Sequence, residues 1–201
     1  MEYSNLREIN QFDRFSDEIQ SYNNCGYFQR SVLILKNAIH CFPNHPGLYY
    51  LLSLTYYNCK EYLKATDSLK SAIEYDDKND KYLGLIGCCF FKVGDYESAF
   101  NYSKKALEID EKNIDALVTL GKLEMLKHNY YEAYSYAKAA VDTDSKNYKA
   151  VRLMSNYYIA RENDPGEVLK VLKQAADLGN DEDLDLDIIK FLFLDGSYIN
   201  V

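Results

Sequence analysis

The sequence predicts an all-α solenoid, with about five antiparallel helix pairs stacked in one row and a capping helix at the C-terminal end. Three observations predict it. Residues of like kind return every 34 positions along the chain. Apolar residues between those returns keep helical spacing, as in Leu83, Ile86, Gly87 and Phe90. Only three prolines and nine glycines occur in 201 residues, too few for long linkers or turn-rich β structure.

Six columns carry the 34-residue step. They are Ala38, Ala72, Ala106 and Ala140; Tyr62, Tyr96 and Tyr130; Ala65, Ala99 and Ala133; Asp76, Asp110 and Asp144; Asn79, Asn113 and Asn147; and Ile39, Ile73, Leu107 and Val141. Gly87 and Gly121 form a shorter column, with Ser53 in the same place one step earlier. The small residues let two helix backbones approach closely where they cross. Tyr62, Tyr96 and Tyr130 are placed to open second helices and to fill the wedge between helices. A lone helix pair cannot bury its apolar face, so stacking must complete the core.

This pattern resembles the tetratricopeptide repeat (TPR) family, whose 34-residue unit is a pair of antiparallel helices. The best match is residues 80–113, where Gly87, Phe90, Gly94, Tyr96, Ala99 and Ala106 sit at the family's positions. The resemblance implies a right-handed superhelix in one domain over 1–201, with units at about 12–45, 46–79, 80–113, 114–147 and 148–182.

Each element has its own signal. Residues 3–11, with Tyr3, Leu6 and Ile9, extend the first helix of the first unit. Gly26 and Gly94 suit the left-handed stop after a first helix. Pro46 suits a first helical turn. The fifth unit carries one extra residue around Asn163–Gly166, where Asp164-Pro165 reads as an N-cap followed by proline. At about 182–194, Leu184, Ile188 and Leu192 form one stripe behind the acidic start Asp181-Glu182-Asp183, which defines the expected capping helix.

Composition bounds the function. The formal charge of −8 argues against nucleic acid and against an anionic membrane surface. No stretch approaches the ~20 apolar residues that span a bilayer. The opening MEYSNLREINQF lacks a basic stretch followed by an apolar run, so no secretory signal is expected and a cytoplasmic location is. The cysteines Cys25, Cys41, Cys59, Cys88 and Cys89 are odd in number and form no CxxC, which predicts buried, reduced thiols.

No catalytic or metal constellation emerges, and neither an enzyme nor a cofactor is expected. His40, His45 and His128 have no partner at metal-ligand spacing. His128 takes the turn position of Gly94, one step later. Gly84-Leu85-Ile86-Gly87 belongs to a helix, not to a phosphate loop. The recurring Asp76, Asp110 and Asp144 read as loop residues of the fold. Cys88-Cys89 sit mid-helix in an apolar setting that predicts inert thiols.

What remains is a surface. In the TPR family the first helices line the concave side, and the resemblance implies a peptide-binding groove with four contributors. The second unit brings Tyr50, Leu54, Tyr57 and Asn58, and the third Lys81, Cys88, Phe91 and Lys92. The fourth brings Val118, Lys122 and Met125, and the fifth Arg152 and Asn156. One end of this groove is apolar and aromatic, and the other gathers cations. The expected partner is a protein segment with apolar residues followed by acidic ones. The two-carboxylate clamp that some TPR modules use on chaperone tails is not matched, since only Lys81 fits it. Two further roles are open: a secretion-type chaperone holding unfolded cargo, and a scaffold self-associating through its end repeats or the Phe191–Phe193 region.

Overall fold

The computed structural model describes residues 2–161 and 165–178. These residues form ten α-helices and no strand. They are α1 (Glu2–Asn24), α2 (Phe28–Cys41), α3 (Pro46–Asn58), α4 (Tyr62–Ile73) and α5 (Asp80–Val93). Then come α6 (Tyr96–Ile109), α7 (Ile114–Leu126), α8 (Tyr130–Thr143), α9 (Tyr148–Ala160) and α10 (Pro165–Leu178). The all-α solenoid of helix pairs is as expected. The capping helix and the Phe191–Phe193 region lie outside the described residues.

Local chemistry sets the helix ends. After α1, α3, α5 and α7 the chain reverses through one left-handed residue, and the four stand 34 apart: Gly26 at φ 77°, Lys60 at 62°, Gly94 at 90° and His128 at 60°. Two glycines carry this geometry at no steric cost; Lys60 and His128 adopt it with a side chain. Asn79, Asn113 and Asn147 cap α5, α7 and α9. Their side chains accept hydrogen bonds from the amides of Lys81 (3.2 Å), Ala116 (2.8 Å) and Lys149 (3.1 Å). The aspartate column braces the same turns: Asp110 and Asp144 accept from the amides of Lys112 and Lys146, and Asp76 from the side chain of Asn79.

Packing follows the small-residue columns. Ala65, Ala99, Ala133, Ala72, Ala106 and Ala140 are fully buried. At Gly87 an added Cβ would run into the Ser103 hydroxyl and meet the Ala99 carbonyl oxygen at 3.3 Å. The glycine is therefore what lets α5 close on α6. Large residues fill the space around these contacts, with Leu35, Leu69, Leu85, Ile86, Leu120 and Leu153 fully buried.

Each helix packs on its neighbours in sequence. First helices also pack on first helices, α1 on α3, α5 on α7 and α7 on α9. The row of first helices is therefore the closer-spaced one, which puts it on the inside of the curve. Polar bonds join the same row. Asn23 Nδ2 donates to Thr55 Oγ1 at 3.0 Å, and Asn113 Nδ2 donates to Asp80 Oδ2 at 2.7 Å.

The tyrosines that open second helices behave differently from the expected wedge. Each lies at the end of its own pair: Tyr62 sits edge-on to Tyr57 at 5.4 Å, Tyr96 tilts on Phe91 at 5.6 Å, and Tyr130 meets His128 at 5.9 Å. Tyr96 remains about half exposed (49%). The cysteines also differ from the expectation. All five are unbridged, but Cys25 and Cys41 are exposed, because they fall at the ends of α1 and α2, beyond the crossing points.

Gly87→Val should cost about 1–3 kcal/mol by overpacking the α5–α6 crossing. Ser103→Ala should be neutral or stabilising by about 1 kcal/mol, because the buried Ser103 hydroxyl has no hydrogen-bond partner. Urea unfolding followed by circular dichroism measures both.

Candidate functional site

A shallow cavity, open to solvent, lies on the first-helix row. Every residue lining it comes from α3, α5, α7 or α9. Seven of the residues expected in the groove meet here: Tyr57, Cys88, Phe91, Lys92, Val118, Lys122 and Arg152. Thr119, Tyr148 and Lys149 complete the lining, and the sequence reading missed them.

The other expected residues lie elsewhere. Tyr50 packs on Tyr82 at 5.3 Å, and Leu54 lies against the same core of α4 and α5. Burial pushes the Tyr50 hydroxyl up to about 12. Met125 packs into the core between α7, α8 and α9, so it is filler. Asn58 and Lys81 are exposed and Asn156 is half-buried, and none of the three lines the cavity.

The lining combines aromatic and basic side chains. Tyr57 and Phe91 line the cavity and also pack on second-helix tyrosines, Tyr62 and Tyr96. Burial raises the Tyr57 hydroxyl well above its ordinary range, so it stays a neutral donor. Lys149 Nζ binds Asp115 Oδ1 at 2.7 Å, joining α9 to α7. Burial pulls the Lys149 ammonium down, but the Asp115 carboxylate outweighs it and holds the group above its usual value. Lys122 lies over the Phe91 ring at 5.8 Å. Burial lowers its pKa; the Cys88 thiol opposes that, and the charges of Lys92, Arg152 and Lys149 add to it.

Of the missed residues, Lys149 was the most legible. It shares a column with Lys81 and Asp115, and the first and third members carry the same charge. Thr119 was a polar residue in a column whose other members, Leu85 and Leu153, are core. Its hydroxyl lies 3.2 Å from Cys88 Sγ and donates to the Asp115 carbonyl. Tyr148 belongs to a column of Pro46, Asp80 and Ile114 that carries no pattern.

Nothing here arranges a nucleophile against a base, and among the described residues no cluster of histidine, cysteine and carboxylate side chains could hold a metal ion. Among the described residues no helix is long and apolar enough to cross a membrane. The arrangement can bind: it offers ring faces and edges, a hydroxyl and convergent ammonium and guanidinium groups.

Known proteins agree with this architecture. The Tetratricopeptide repeat family model matches residues 46–79 and 80–113, which hold α3 to α6. Residues 46–113 are two tetratricopeptide repeats. A thermophilic TPR protein of Thermus thermophilus shares the fold of this chain with a TM-score of 0.72 at 15% identity, over 89% of this chain and 96% of that one. The Pseudomonas aeruginosa protein pilF does so with a TM-score of 0.68 at 14% identity, over 90% and 83% of the two chains. YrrB, described as a TPR protein with an unusual peptide-binding site, has a TM-score of 0.53 at 21% identity, over 86% and 88%. No curated protein sequence matches. TPR proteins generally mediate protein–protein contacts through a non-catalytic scaffold.

The thiols of this protein should divide by environment. Burial, then the Asp115 charge, pushes Cys88 up to about 11; burial, then Cys88, pushes Cys89 up to about 12. At pH 8 Cys25 and Cys41 should react quickly with a thiol reagent, while Cys88 and Cys89 react only after unfolding. Counting thiols released with and without denaturant checks this.

Proposed function

We propose that this protein is a non-catalytic adaptor that holds a segment of a partner protein in the groove of its first helices. The observation that carries the reading is the cavity itself: all its lining residues come from first helices, and it joins exposed aromatic surface to a set of cations. The bound segment presents apolar residues toward Tyr57 and Phe91 and acidic ones toward Lys92, Lys122 and Arg152. Aromatic anchors in such sites supply most of the affinity, and opposite charge orients and speeds encounter. The likeness to a TPR protein with a peptide-binding site supports the same reading. The five unbridged cysteines suit a cytoplasmic setting.

An array of immobilised peptides tests the specificity, with enrichment of apolar residues followed by Asp or Glu as the expected result. For peptides so selected, the Tyr57→Ala/Phe91→Ala double variant should weaken binding by more than about tenfold, in line with the cost of truncating aromatic anchors. A thermal melt must show that the variant is still folded. Lys92→Glu, at an exposed position, should slow association and flatten its dependence on salt. Peptides that bind with no preference, or affinity that ignores Tyr57 and Phe91, would argue against the groove.

A further inference from the structure

The cations of the groove are not equally satisfied. Among the described residues three ion pairs form, Lys64–Glu61, Lys127–Glu124 and Lys149–Asp115, and neither Lys92 nor Lys122 takes part in any. Lys149 is therefore answered from inside the protein by one carboxylate, at 2.7 Å. Lys122 has an aromatic ring for a neighbour and faces three other positive charges, those of Lys92, Arg152 and Lys149. Gathering like charges against aromatic walls is unfavourable, and strongly so where water is partly excluded. In a protein of net charge −8, such a gathering is the mark of an anion site.

The charge count distinguishes the anion. A single carboxylate is what Asp115 already supplies to Lys149. Two ammonium groups remain, those of Lys92 and Lys122. A phosphoryl group carries nearly two negative charges at neutral pH and three acceptor oxygens, so it can answer both lysines together. A further carboxylate would leave one charge unanswered.

We propose that this pocket is the subsite for a phosphorylated side chain of the bound segment. The proposal rests on the adaptor reading above and names the chemical class that its basic end selects. Lys122 is the central contact, and Asp115 limits affinity by occupying Lys149.

The test uses two small probes, N-acetyl-O-phosphoserine amide and N-acetylglutamate amide, titrated into the labelled protein at matched ionic strength and followed by amide NMR signals. The expected result is a shift of signals around Val118, Lys122 and Lys149, with the phosphoserine probe binding about tenfold more tightly or better. Lys122→Met should remove that advantage, Lys122→Arg should keep it, and Asp115→Asn should strengthen phosphoserine binding by freeing Lys149. If Lys122→Met does not fold, Lys92→Met at its exposed position provides the same comparison. Equal binding of the two probes, shifts confined to other surfaces, or indifference to both lysine substitutions would overturn the subsite. An unphosphorylated apolar-acidic peptide that binds through Tyr57 and Phe91, alongside equal binding of the two probes, would sink the phosphoryl subsite and leave the adaptor reading standing.

Discussion

The close approach of helices at the alanine and glycine columns is the constraint on which the rest depends. Where Ala65, Ala99 and Ala133 are fully buried, there is no side chain to hold the helices of a pair apart. Gly87 goes further, since the Ser103 side chain and the Ala99 backbone occupy the space a methyl group would need. Tight pairs allow the first helices to stack on one another as well as on their own partners. That second set of contacts curves the row and produces an inner surface. Stability in such a stack is a sum of pair and neighbour terms, so a fault at one crossing loosens its neighbours first.

The groove and the core share residues. Tyr57 and Phe91 are at once packing for second-helix tyrosines and walls of the cavity. Asp115 carries a part-buried ion pair through its side chain, while its carbonyl accepts from the Thr119 hydroxyl. Side chains already packed in the free protein lose less freedom when a segment docks, which lowers the ordering cost. Stacking of first helices also builds the cationic part of the lining: Lys149 meets Asp115, its counterpart one repeat earlier, and Lys122 and Arg152 line the same cavity from α7 and α9.

Much of the fold was legible because it repeats. A column of alanines reports a crossing, and a tyrosine at a fixed step reports the start of a helix. The turn geometry was half legible. Gly26 and Gly94 announce a left-handed residue, but Lys60 and His128 adopt the same conformation, and only their place in the column could have said so. The asparagine column was visible as a repeat, yet its capping role appears only in the hydrogen bonds that the side chains make. The candidate site was legible where the repeat alignment put a residue on the inner face of a first helix and that residue does line the cavity, as at Cys88, Phe91 and Lys122. It was not legible where one turn of the helix decides between cavity and core. Met125 stands one repeat after Phe91 but packs inward. Thr119 stands in a leucine column but faces the cavity. The exposed Cys25 and Cys41 were misjudged for a related reason, since residue type predicts burial only where a neighbouring helix covers the position.

The central claim is that the row of first helices forms the binding face of this protein. Amide hydrogen exchange with and without a bound partner segment tests it most directly. The account predicts added protection along α3, α5, α7 and α9, strongest near Phe91 and Lys122, with little change in α4, α6 and α8. Protection that falls on the second helices, with the first helices unchanged, would contradict it.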